Sequence, residues 1–345
     1  MRHRYRIREI AAQAGLSQAT VDRVLHERGG VRESTVLQVH RAVDDLDRQR
    51  TQLVLGGRTF MIDVVVQAPP RFSAAVRAAV EAELPALRPL VFRARFHLLS
   101  SPAVDDLLTV LERLPRTGSH GVILKAPDVP PVVAAVDRLD EHGIPVVTLV
   151  TDLPASRRTV YVGIDNRAAG ATAAYLVHQW LGNRPGDVLV VHGEGTYRGE
   201  DEREAGFRAE WDSLAPRRRR IDIIDAEDRP AAVHAAAGAA LRRHPDIRAV
   251  YSMYAGAGGT AAVIDAFREA RRAYAVFVAH DLDGDNTPLL RQRLISAVLH
   301  HDLRQDLRQA CQAVLRARKV IPGPLPWTPS AIQIITPHNA PPARL

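Results

Sequence analysis

Apolar positions divide the chain into two textures. Through residues 7–47 they recur every three to four residues. Ile7, Ile10, Ala11 and Ala14 form one stripe, Val21, Val24 and Leu25 a second, and Val36, Val39, Val43 and Leu46 a third. That spacing is the helical period, with one face of each helix turned to a shared core. Gly15-Leu16-Ser17 separates the first two stripes. Glycine takes the positive φ that ends a helix, and Ser17 is suited to cap the next one. Gly29-Gly30 breaks the chain before the third stripe. The pattern predicts helices over 7–14, 18–26 and 34–47, the first two joined by a short turn.

From Met61 onward, apolar β-rich runs alternate with alanine-rich helical stretches. Strands are expected at 62–66, 91–98, 121–124, 145–149, 160–164, 187–191, 221–224, 248–252, 275–279, 295–299 and 332–335. Helices are expected at 73–83, 129–142, 167–180, 202–211, 231–243, 259–271 and 304–317. Unbroken apolar strands alternating with helices imply parallel sheets covered on both faces. About eleven strands is many for one open sheet, so two sheets of five or six are expected. The fold class is a small all-α domain followed by α/β, two doubly wound lobes. In such sheets the ligand lies beyond the carboxyl ends of the strands, and the residues there are the site candidates.

Composition narrows the class. The 345 residues are 46% hydrophobic and 25% charged, which excludes wholesale disorder. A single cysteine, Cys311, excludes an intrachain disulfide framework and points to a reducing cytosol. No apolar run approaches the ~20 residues of a membrane helix, and MRHRYRIREI lacks the apolar stretch of a secretory signal. The net charge is +7, with arginine abundant and lysine nearly absent. Residues 1–60 hold eleven Arg against seven Asp/Glu, a net of +4, so over half of the excess sits in about a sixth of the chain. A basic terminal module suits phosphates; it equally suits a solubilising arm.

The segment IREIAAQAGLSQATVDRVLHERGGVRESTVLQVHRAVDDL resembles the N-terminal headpiece of LacI/GalR-type transcription factors. The likeness is carried by Ile10-Ala11-Ala12, Ala14-Gly15-Leu16-Ser17, Ala19-Thr20-Val21, Arg23-Val24-Leu25, Val31-Arg32 and Thr35. It implies a helix-turn-helix domain over 1–48 that docks the 18–26 helix in the major groove of an operator. Ser17 and Thr20 are placed for phosphate, Gln18 for adenine, and Arg23 for a guanine edge or phosphate. With Ala19, Asp22 and Arg32 they are the DNA-contact candidates. Asp22 departs from the family's small polar residue; it must pair with Arg23 or a neighbouring Arg or accept from cytosine N4, and the Arg-orienting role is the one expected. The connector DLDRQRTQLVLGG lacks the family's Tyr-x-Pro-Asn step. A linker is expected over 49–60, with Leu53 or Leu55 as a minor-groove wedge or the segment as a plain tether.

Residues 61–337 resemble the type I periplasmic-binding-protein core, most specifically at PVVTLVTDLP, YVGIDNRAAG, EREAGF and VAHDLD. The resemblance implies two lobes joined by three crossovers, a ligand in the cleft, and a homodimer. Lobe boundaries are expected at 61–165 plus 282–300 and at 166–281 plus 301–337, with a tail over 338–345. Strand-end positions give the ligand candidates Gln67, Phe72, Asp152, Asn166, Arg203, Ser252, Tyr254, Asp281 and His301. Carboxylates, an amide and an arginine around one cleft suit a sugar or polyol, with Phe72, Tyr197 or Tyr254 against a sugar face. Asp152 and Asn166 equally suit helix caps. No cofactor, metal or membrane partner is expected.

Two other readings stay open. Gly256–Ala261 matches G-x-G-x-x-A with Asp281 beyond the next strand, the spacing of a dinucleotide site in an enzyme. A solute receptor without DNA function is the other. DLDGDN (281–286) fails as a calcium loop, because Asn286 stands where glycine and Gln292 where glutamate is required. Cys311 shares a helix face with Leu307 and Leu315 and is expected in the core.

Overall fold

The computed structural model describes residues 5–55, 59–87, 91–193, 195, 197–224, 229–253, 257–325 and 328–341, without the side chains of 47–55, 86, 87 and 91. It divides into two units, residues 1–60 with 84–93, and residues 61–83 with 94–345.

In the first unit, α1 (Ile7–Ala14) ends at Gly15, whose φ of 65° reverses the chain. Ser17 then caps α2 (Gln18–Leu25), its hydroxyl accepting from the Thr20 N–H at 3.1 Å. A third helix, α3 (Glu33–Leu55), closes the trio. Ile10, Val21 and Val39 are fully buried at its centre with Ala11, Ala14, Val24 and Ala42. Each such aliphatic side chain contributes about 1.5–3 kcal/mol, which is how so small a core holds. The backbone of α3 runs through Leu55, past the helix end expected at 47 and into the linker expected from 49. The physical reason is that no Gly or Pro interrupts 33–55; the first breakers are Gly56-Gly57.

The second unit holds two sheets. Its first lobe contains β1 (Thr59–Gln67), α4 (Pro70–Glu83), β2 (Val91–Leu99), α5 (Val104–Arg113), β3 (Gly121–Lys125), α6 (Pro130–Glu141), β4 (Val146–Leu149) and β5 (Val160–Val162). The strand order is β2-β1-β3-β4-β5. The chain then crosses to α7 (Asn166–Leu181), β6 (Asp187–His192), α8 (Arg198–Leu214), β7 (Arg220–Ile224), α9 (Pro230–Arg243), β8 (Ile247–Ser252), α10 (Gly259–Glu269), β9 (Val276–His280), α11 (Asn286–Arg291) and β10 (Ala297–His300). It returns for α12 (Leu303–Ala317) and ends with β11 (Gln333–Ile335), giving the order β11-β10-β9-β8-β6-β7. All eleven expected strands form. β3 and β9 are buried along their whole length, as a sheet covered on both faces requires; β11 is an antiparallel edge.

One lobe boundary needs correction. Residues 282–300 were expected with the first lobe, but β10 pairs with β9 and β11 in the second sheet. The element that returns to the first lobe is α12, which packs on α4, β3 and β4. Both halves of the chain there are apolar, so periodicity cannot assign them to one sheet or the other. The three crossovers are therefore 163–165, 301–302 and 318–332. Among the described residues, no helix is long and apolar enough to cross a membrane.

Candidate functional site

Ser17, Gln18, Ala19, Arg23 and Arg32 are exposed, while Thr20 and Asp22 are half-buried. Ser17 Oγ also lies 2.8 Å from Thr20 Oγ1, so the cap orients both hydroxyls at the start of α2. Asp22 does not pair with Arg23. Its carboxylate holds Arg28 Nη1 at 2.9 Å and His26 Nδ1 at 3.0 Å. Arg28 lies beyond the end of α2, whereas Arg23 stands within it, next to Asp22 in the chain. Arg23 keeps its guanidinium unpaired among the described residues. The side chain of Leu55 lies outside the described residues.

In the second unit, the carboxyl ends of both sheets border a cavity of about 640 Å³ between the lobes. Of the sequence candidates, Phe72, Arg203, Ser252, Asp281 and His301 line it. Tyr254 lies outside the described residues. Three others do not line it. Asp152 is held by Arg158, whose Nη2 donates at 2.6 Å, by Thr148 Oγ1 at 2.8 Å and by the Leu153 N–H at 2.8 Å. Its oxygens are occupied, and the neighbours Val150 and Thr151 face the cavity instead. Gln67 turns its amide to the carbonyls of Ser101 and Ala103, at 2.8 and 3.1 Å; the chain's contribution there is its own carbonyl, which accepts from Tyr197 Oη at 2.6 Å.

Asn166 acts through Arg203. It opens α7, but Asp165 is the cap, accepting from the Ala168 N–H at 2.9 Å. The Asn166 amide donates to the Val150 carbonyl at 3.2 Å, and its Oδ1 accepts from Arg203 Nη2 at 2.7 Å. Arg203 is 7% exposed, and its Nε has no partner. Asn166→Leu would strand a second donor on that buried guanidinium. The expected cost is about 1–3 kcal/mol, read as a lower denaturant midpoint at unchanged slope.

Beyond β9 and β10 lies a polar cluster. His280 is buried with neither ring nitrogen partnered, and burial holds its pKa well below the ordinary value, so it is neutral. Asp281, at φ 63°, takes a backbone conformation rare for a side-chain-bearing residue. Partial desolvation opposes its ionisation, but the charges of His301 and Arg203 hold its carboxyl below the ordinary carboxylate range. His301 Nδ1 shares a short hydrogen bond with the fully buried Asp306, and its Nε2 faces Asp281 at 3.9 Å. Asp306 also accepts from Ser330 Oγ, and the Ser330 N–H donates to the Gly163 carbonyl at 2.8 Å. One carboxylate thus ties all three crossovers to a residue on the cavity wall.

Burial disfavours a charged His301, yet Asp306 and Asp281 outweigh it and raise its pKa. The charged form therefore adds stability that is complete below about pH 6.5, the unfolded value, and is lost as pH rises through the folded pKa. Asp306→Asn is expected to flatten this fall in stability between pH 6 and 8, measured by denaturant unfolding across pH.

Several cavity residues were not among the candidates. Lys125 ends β3, its Nζ 3.2 Å above the centre of the Tyr197 ring and 5.3 Å from that of Phe72. Glu200, on the first turn of α8, faces it. Arg71 pairs with Asp283 and, at 3.3 Å, with Asp285, joining α4 to the far lobe. A signal for Lys125 was present: it is one of two lysines in the chain and sits at a strand's carboxyl end. At the glycine-rich turn, the Gly258 N–H already donates to Asp285 Oδ2 at 2.9 Å. An internal carboxylate occupies the start of α10, where a dinucleotide's pyrophosphate would need that donor.

Residues 100–319 match the family model of the periplasmic binding protein domain, and residues 6–49 match that of the bacterial regulatory proteins of the lacI family. The chain belongs to the periplasmic binding protein domain family and carries a lacI-family headpiece. No curated protein matches it. GanP, a glucose-galactose binding protein from Geobacillus stearothermophilus, superposes with a TM-score of 0.71 at 19% identity, over 82% of this chain and 99% of that one. AraP, an arabinose binding protein from the same organism, gives 0.67 at 19%, over 82% and 97%. A Bacteroides fragilis protein assigned provisionally as a LacI transcriptional regulator gives 0.67 at 16%, over 81% and 97%. At such identities the likeness is one of fold: the periplasmic binding protein domain of this chain has their two-lobe architecture.

Proposed function

We propose that the chain is a cytoplasmic transcriptional repressor that binds a near-palindromic operator as a homodimer and responds to a small sugar or polyol in the interlobe cavity. The observation that carries this reading is the fusion of a lacI-family headpiece to a cleft-bearing binding domain in one polypeptide. The exposed start of α2 supports groove entry, with Gln18 and Arg23 as base readers and Ser17, Thr20 and Arg32 at phosphates. Leu55 is assigned the minor-groove contact. The cavity offers Asp281 as acceptor and Arg203 as donor to hydroxyls, with Phe72 against a ring face.

Ligand that binds one lobe arrangement better than another shifts the population toward it, and operator affinity changes by the same coupling free energy. Asp306 and the crossovers it joins are the elements that register lobe movement. Gel shifts of the full chain on duplexes from its own upstream region, with and without sugars, test the reading. Specific binding altered by one sugar is the expected result. Absence of specific binding under every condition contradicts it, and a melting shift with a nicotinamide dinucleotide would favour the enzyme reading instead.

A further inference from the structure

The cavity holds two cationic side chains with no carboxylate partner among the described residues. Lys125 is 7% exposed and lines the cavity, and among the described residues its ammonium rests against aromatic faces. Among the described residues no carboxylate forms an ion pair with it. Arg203, equally buried, is bonded among the described residues to neutral oxygens alone, the Asn166 amide and, at 3.5 Å, the Met253 carbonyl. Among the described residues Asp281 and Glu200 also lack an arginine or lysine partner, but water reaches them: the Asp281 side chain is 48% exposed and Glu200 is half-buried. The burial penalty therefore falls on two cations, and these two repel each other across one space.

We propose that the effector is a polyhydroxylated carboxylate, a sugar acid, whose carboxylate accepts from Lys125 Nζ with Arg203 as the second cation while its hydroxyls donate to Asp281 and Glu200. This rests on the reading of the cavity as the effector site. A neutral sugar satisfies the acceptors but leaves the cations without countercharge. A phosphate needs more donors than the cavity keeps free: at the start of α8 the Gly199 N–H donates to Thr151 Oγ1 at 3.1 Å and the Glu200 N–H to the Tyr197 carbonyl at 2.9 Å.

Burial, with repulsion from Arg203, pulls the Lys125 ammonium down to about 8, against the attraction of Glu200 and Asp281. Acid binding is thus expected to weaken several-fold between pH 7 and 9, where an ordinary lysine stays charged.

The test is calorimetric titration of the full chain with matched probes: gluconate, galactonate and glucuronate, the parent neutral sugars, and glucose 6-phosphate. At least one acid is expected to bind tenfold or more tightly than its neutral parent. Lys125→Gln is expected to erase that ratio, and Lys125→Arg, which keeps the charge, to retain part of it. Folding of each variant is checked by its melting and by DNA binding. No binding of any acid, equal binding of the neutral parent, tighter binding of the phosphate, or a ratio unchanged in Lys125→Gln would each overturn the proposal. A neutral sugar that binds and alters operator affinity would overturn this assignment alone and leave the regulatory reading standing.

Discussion

Arg23→Ala is expected to lower operator affinity roughly ten- to hundredfold per half-site while leaving effector binding unchanged. A bidentate contact from arginine to a guanine edge discriminates by about 1–3 kcal/mol, and a homodimer loses it twice. Arg23 is exposed and carries no partner among the described residues, so its removal leaves no buried group stranded. Fluorescence anisotropy on a labelled operator reads the loss. Asp22→Ala is the informative contrast. It frees Arg28 and His26, both exposed, and such pairs are worth little to the fold. A loss as large as that of Arg23→Ala would assign Asp22 a base contact of its own.

The largest stability effect is expected where α7 and α8 cross. A Cβ on Gly206 would lie 2.0 Å from the Arg167 carbonyl oxygen, and one on Gly170 would lie 1.9 Å from that of Arg203. Both clashes are with backbone, so a rotamer change cannot relieve them and the helices must part. Below this crossing, Phe207 stacks on Tyr251 at 4.8 Å and on Trp211 at 5.8 Å, and separation would also open that layer. Gly206→Ala is expected to cost about 3 kcal/mol or more, on the order of 10 °C in melting temperature. It should also weaken effector binding, because Arg203 and Asn166 meet across the same crossing. Gly238→Ala supplies the control. That glycine lies inside α9, where a new Cβ meets only the flexible end of Arg242 at 3.4 Å. Relieving a helix-interior glycine is expected to stabilise by about 0.5–1 kcal/mol. Equal losses from the two substitutions would sink the crossing argument.

Much of this molecule was legible in its sequence, because local periodicity follows directly from which face is buried. Eleven apolar runs became eleven strands, and Gly15 and Ser17 act where their φ preference and capping chemistry place them. The division between lobes was less legible. β10 and α12 are adjacent in the chain yet belong to opposite lobes, and no local pattern distinguishes a crossover from an ordinary turn. Side-chain direction was the other limit. Asp152 and Asn166 stand at the expected strand ends, but one is consumed by Arg158 and the other by Arg203. A carboxylate's partner six residues away is invisible to a reading that ranks positions singly. Lys125 stands at a strand's carboxyl end like the other candidates, but its meeting with Tyr197 and Phe72 arises only in three dimensions.

Selection of duplexes retained by the full chain from a randomised pool, followed by sequencing, tests the central claim most directly. The account predicts a near-palindromic motif of two half-sites, lost in Arg23→Ala, with retention changed by a compound that binds the interlobe cavity. A pool returned without enrichment, or an enriched motif indifferent both to Arg23 and to every cavity ligand, would contradict it.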